Sequence, residues 1–139
     1  MTPLLLPASP DERVGHAVVD AQHEALHALC GLLADCAVGR PEAGHDDAFD
    51  TVLAEFKALV RSHLDTEGAL LARSPDAAVE VLEALEAERE EFETLADDVM
   101  TPACFDRIEL QRFAALWTVG HIRSCAARWR GVRAASQGG

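Results

Sequence analysis

Residues 52–71 read VLAEFKALVRSHLDTEGALL. Val52, Phe56, Leu59, Val60, Leu70 and Leu71 recur at steps that put them on one face of a helix. His63 and Glu67 lie on the same stripe, four residues apart, so both side chains project the same way. Burying an imidazole and a carboxylate costs several kcal/mol unless they are paired or bind something. This helix therefore belongs in a helical core that carries polar residues for a reason.

Three further helices surround it in the sequence. The first runs from about Val18 to Val38 and stops at Gly39, with Pro41 beyond. The second, just quoted, spans about Asp46 to Ala72. The third has Ser74 as its candidate N-cap and Pro75 at its first position, and runs to about Met100 before Pro102. The fourth opens on Asp106 with Glu109 three residues on, a capping-box pair, and runs to about Ala134. Arg128, Arg130 and Arg133 in its last turns suit the negative helix end. No strand signal is present. The expected fold is all-α, an antiparallel up-down-up-down four-helix bundle. Residues 1–14, with Pro3, Pro7 and Pro10, read as an extended N-terminal arm, 15–135 as the bundle and 136–139 as a frayed tail.

The 139 residues are 49% hydrophobic and 26% charged, in keeping with one globular domain. Twelve Lys and Arg against 24 Asp and Glu give a net charge of -12. That balance argues against nucleic-acid and anionic-membrane partners, which need a basic face. No transmembrane run or signal peptide is evident, and a cytoplasmic location is the default. Cys30, Cys36, Cys104 and Cys125 lack metal-ribbon spacing and read as free thiols. No phosphate loop, nucleophile elbow or paired acid-base carboxylates point to an enzyme.

The other stripes also carry polar residues. Helix one presents Val19, Leu26, Cys30, Leu33 and Ala37, with His23 among them. Helix four presents Leu110, Phe113, Trp117 and Cys125, with His121 among them. Helix three presents Leu82, Leu85, Phe92 and Val99, with Arg89 at the polar position. A lone stripe histidine is more often a hydrogen-bonded core residue than a ligand. A His-x-x-x-Glu pair facing histidines on two other helices is the way bundles build metal sites. His16, His27 and His45 fall off the stripes and read as non-ligands.

The segments Val14-Gly15-His16 and Asp20-Ala21-Gln22-His23, then His63 to Glu67, then Trp117 and His121-Ile122 resemble, in that order, the motifs of the hemerythrin-like family. The resemblance covers roughly residues 14–130. It implies a four-helix bundle that binds two bridged irons, with a role in dioxygen binding or in iron or oxygen sensing, storage or delivery. By that resemblance His23 and His63 ligate one iron, Glu67 bridges, and His121 ligates the other. The family's two helix-three histidines are missing. Leu85 and Arg89 are the preferred counterparts, with Glu80 and Ala84, or Leu82 and Glu86, as other registers. Ala126 stands where the family has a bridging aspartate.

Two readings remain open. In one, His23, His63, Glu67 and His121 hold a single ion, iron before zinc or manganese, with Cys125 as a possible additional ligand and Asp20 and Gln22 as orienting partners. Its small-molecule partner would be dioxygen or another diatomic. In the other, no metal binds, Arg89 pairs with Glu67, and the protein is a regulatory or interaction module. Cys125 as an activated thiolate is a third possibility.

Overall fold

A computed structural model describes residues 2–7, 12–38, 47–101 and 105–138. Four helices account for most of it: α1, Ala17–Val38; α2, Asp47–Ala72; α3, Val79–Thr94; and α4, Arg107–Gly138. A π-helical segment, Leu95–Val99, continues α3. Gly39, Pro41, His45, Asp46, Pro102 and Cys104 lie outside the described residues.

The helices form the expected four-helix bundle, with no strand among the described residues. Phe49, Phe56, Leu64 and Leu71 of α2 are fully buried beside Leu26 and Leu33 of α1, Phe92 of α3 and Leu110 of α4. α1 packs against α2 and α4, and α2 packs against α3. No helix among the described residues is long and apolar enough to cross a membrane.

Local signals set most of the boundaries. The Asp106–Glu109 capping box forms: the Glu109 amide donates to Asp106 Oδ1 at 2.8 Å, and the Asp106 amide donates to Glu109 Oε1 at 3.1 Å. The start of α3 differs from expectation. Ser74 and Pro75 form a separate turn, closed by the Ala77 amide on the Ser74 carbonyl at 3.3 Å. α3 begins only at Val79, behind Ala78, which offers no side-chain cap. The same Ser-Pro chemistry favours a turn as readily as a helix start. At the other end of the chain, α4 continues to Gly138, three residues into the segment expected to be a frayed tail.

Residues 2–7 lie outside any helix and are tied down to the bundle. The Leu4 amide donates to Gln111 Oε1, and Gln111 Nε2 donates to the Leu4 carbonyl, both at 2.7 Å. Gln111 Nε2 also reaches the Cys30 carbonyl at 3.2 Å, so one buried amide joins the arm to α1 and α4. His27, off the inward stripe, bonds the Pro7 carbonyl through Nδ1 at 2.9 Å.

Lys57 of α2 closes the π segment. Its ammonium donates to the carbonyls of Met100 at 2.7 Å and Ala96 at 3.1 Å, at the negative end of the α3–π unit. Charged hydrogen bonds of this kind contribute roughly 1.5–3 kcal/mol. Lys57→Met is expected to lower stability by about 1–3 kcal/mol, read as a fall in the denaturant midpoint; an unchanged midpoint would show that the clamp contributes nothing.

Candidate metal centre

Three helices send imidazoles to one point. His23 comes from α1, His63 from α2 and His121 from α4, and each is at most 2% exposed. His63 Nε2 lies 3.2 Å from His23 Nε2 and 2.7 Å from His121 Nε2. Glu67 Oε2 is 3.5 Å from the Nε2 atoms of both His63 and His121. The ligand atoms of His23, His63, His121 and Cys125 all lie within 4.8 Å of one another. The single turn between His63 and Glu67 puts both on the bundle side of α2.

Hydrogen bonds on the far side of two rings decide which nitrogens carry protons. His63 Nδ1 donates to Gln22 Oε1 at 2.7 Å, and Gln22 is oriented by its amide nitrogen donating to Thr66 Oγ1 at 3.3 Å. His121 Nδ1 donates to Glu88 Oε1. Both Nε2 atoms are thereby left as lone pairs, facing inward. Trp117 stacks on His121, with centroids 4.9 Å apart and planes 3° from parallel, which fixes the ring plane.

Lone pairs this close repel unless a cation sits among them. Glu67 Oε2 and His23 Nδ1 are also buried without a hydrogen-bond partner. Ligand nitrogens about 2.0–2.1 Å from a tetrahedral metal stand roughly 3.3 Å apart. The observed separations, 2.7 to 3.5 Å, bracket that value. The donor set therefore fits a metal ion.

Burial and neighbouring charges set the protonation of His23, His63 and Glu67. Burial, with His63 and His121 beside it, pushes His23 down from 6.5 to about 3. Burial likewise lowers His63, against the pull of Glu67. Burial works against the charge on Glu67, but the Arg128 guanidinium outweighs it and holds the carboxyl below its usual range. Cys125 is raised by burial and by the Glu67 carboxylate, which its thiol faces. Its surroundings favour the protonated thiol over an activated thiolate.

Arg89 does not pair with Glu67. It lies 2.7 Å from Asp65 and 3.3 Å from Glu86, at the edge of the bundle. The partner of Glu67 is Arg128: its Nε donates to Glu67 Oε1 at 3.0 Å and its Nη1 to Glu88 Oε2 at 2.8 Å. Leu85 is buried core, and a side chain on Gly68 would meet it at 3.6 Å. Ala126 is buried with Val14, Val19 and Cys125. Of the two expected orienting residues, Gln22 holds His63. Asp20 instead accepts the amides of Val14 at 2.8 Å and Gly15 at 3.2 Å, closing a turn that needs the positive φ of Gly15, 87°.

The sequence reading does not place Glu88 at the cluster, and it gives Arg128 only a helix-end role. Glu88 and Arg89 flank the α3 stripe equally: one is three residues after Leu85 and four before Phe92, the other four and three. Arg128 continues the α4 stripe, since His121, Cys125 and Arg128 follow at i, i+4 and i+7. That spacing was the available signal. Beside these residues, between α3 and α4, lies a cleft of about 680 Å³ lined by Leu95, Trp117, His121, Ser124, Glu88 and Arg128.

A histidine whose folded pKa lies below its unfolded value stabilises the fold while neutral. That contribution is complete above about 6.5 and is lost as the pH falls toward about 3 for His23. The lowered carboxyls of Glu67 and Glu88 act in the same direction, losing their contribution as the pH falls below 4.5. The metal-free protein is therefore expected to lose stability steadily from pH 6.5 downward, followed by helical circular dichroism in denaturant. A flat profile over that window would contradict the neutral, ligating form.

A family model described as the hemerythrin HHE cation binding domain matches residues 14–124. No curated protein and no solved structure matches the chain significantly. The matched segment covers most of the sequence and contains all three histidines of the cluster and Glu67. With four helices converging their inward stripes on a histidine cluster that lacks the full two-metal ligand set, the chain belongs to the hemerythrin HHE cation-binding family.

Proposed function

We propose that this bundle holds one metal ion, ligated by His23, His63 and His121 through Nε2 and by Glu67 through Oε2, with Cys125 beside them. The observation that carries the reading is the convergence of imidazole lone pairs and an unpartnered carboxylate oxygen in a dry core. Histidine and carboxylate together suit iron, zinc or manganese, and the family's role favours iron. Bound iron would supply a Lewis acid and a one-electron redox centre.

The chain's own residues shape what reaches that centre. Gln22 and Glu88 accept from Nδ1 of His63 and His121, which turns each Nε2 toward the centre. Trp117 covers one face of His121 and lines the cleft. The cleft is the approach for dioxygen or another small diatomic, the molecule that the family's sensing, storage and transport roles involve. The proposed role is binding or sensing at a single metal, without turnover of a substrate.

The metal-free alternative gains one observation: Arg128 already offsets the charge of Glu67. It leaves the facing Nε2 atoms of His63 and His121, 2.7 Å apart, without a cation.

Protein expressed in iron- and zinc-supplemented medium is expected to carry one metal per chain by elemental analysis. A ligand at a hundred times its Kd adds about 2.7 kcal/mol, so removing the metal by chelation should lower Tm by about 10 °C. His63→Ala should abolish both the metal and the chelator effect. Metal-free protein with a chelator-insensitive Tm would overturn the single-metal reading.

A further inference from the structure

Glu67 divides its two oxygens between two directions. Oε2 faces the histidines at 3.5 Å, while Oε1 accepts Arg128 Nε at 3.0 Å. Glu88 is divided in the same way: Oε1 takes His121 Nδ1 and Oε2 takes Arg128 Nη1 at 2.8 Å. In each carboxylate one oxygen is held by the Arg128 guanidinium and the other faces a histidine, so one cation serves both. The Arg128 side chain is 10% exposed, that of Glu88 17% and that of Glu67 0%. Two nearly dry carboxylates need a cation between them, and a positive charge held there repels a second one strongly.

We propose that Arg128 is a built-in cation that holds the place of a second metal ion and so limits the bundle to a single ion. The proposal deepens the single-metal reading and rests on it for the identity of the first site. Arg128 is a positioning residue. By clamping Glu67 Oε1 it leaves Oε2 for the histidine side, and by clamping Glu88 it keeps the His121 proton on Nδ1. The stand-in comes from α4, whereas the opposing carboxylate comes from α3, the helix that lacks the family's histidines. Once Arg128 is removed, Glu67 Oε1 and Glu88 Oε2 remain as a hard oxygen pair suited to Mn(II) or Fe(II). The cleft, lined by both Glu88 and Arg128, lets an ion reach them.

The test counts ions. Mn(II) is titrated into the metal-free full-length chain by calorimetry, and bound metal is checked by elemental analysis after dialysis. Arg128→Ala removes the guanidinium; Arg128→Gln retains donor hydrogens but removes the charge. Each is expected to bind one ion per chain more than the wild type. Arg89→Ala, which alters only the edge contacts to Asp65 and Glu86, should leave the count unchanged. The Tm of Arg128→Ala should fall below that of the wild type without metal and recover as Mn(II) is added. If Arg128→Ala fails to fold without metal, the Arg128→Gln count decides. The same count in wild type and Arg128→Gln would overturn the proposal. The wild-type count tests the other reading separately: zero in the wild type with one in the variants would sink the single-metal reading while upholding the role of Arg128.

Discussion

A buried carboxylate keeps its charge only where a cation offsets it, and for Glu67 that cation is Arg128. One oxygen faces imidazoles from α2 and α4, and the other accepts the Arg128 guanidinium. Through Arg128 the contact extends to Glu88 and so to α3; His63 carries it to His23 and α1. All four helices thus meet at one ionic and hydrogen-bonded cluster. Groups so connected are not independent: losing one leaves another charge buried and uncompensated, which costs far more than a surface contact.

The bundle is uneven around that cluster, and composition explains why. From Glu80 to Asp98 the sequence has nine acidic residues and a single basic one, Arg89. Within α3 only Leu85 and Phe92 are buried. Its residues toward α4 are small or charged, with Ala84, Ala87, Glu88 and Glu91 on the wall of the cleft. Alanines leave volume that leucines would fill, and carboxylates resist being packed dry. The same poverty of apolar side chains that makes α3 an acidic outer face opens a path beside the histidine cluster.

Much of this was legible in the chain. His23, His63, Glu67 and His121 sit on apolar stripes because helical periodicity assigns each residue a face, and the structure brings those four residues together. Residues on α3 were less legible. Glu88 and Arg89 are adjacent and equally spaced from Leu85 and Phe92, so spacing alone does not choose between them. Arg128 was misread for a different reason. Placing the end of α4 near Ala134 made a helix-terminus role attractive, whereas the helix continues to Gly138 and the side chain turns inward.

Local chemistry accounts for what the sequence by itself determined: four helices, the Asp106–Glu109 cap, and the stripes that carry the histidines and Glu67. These depend on neighbours within one or two turns, which a linear reading contains. Only the tertiary structure decided that Glu88 turns inward, that Arg128 and not Arg89 clamps Glu67, and that α3 stands off from α4 at a cleft. One residue along a helix rotates a side chain by about 100°. Which of two neighbours faces the core therefore depends on how the helix is turned about its own axis. Packing against the other helices sets that angle, and nothing within α3 itself specifies it.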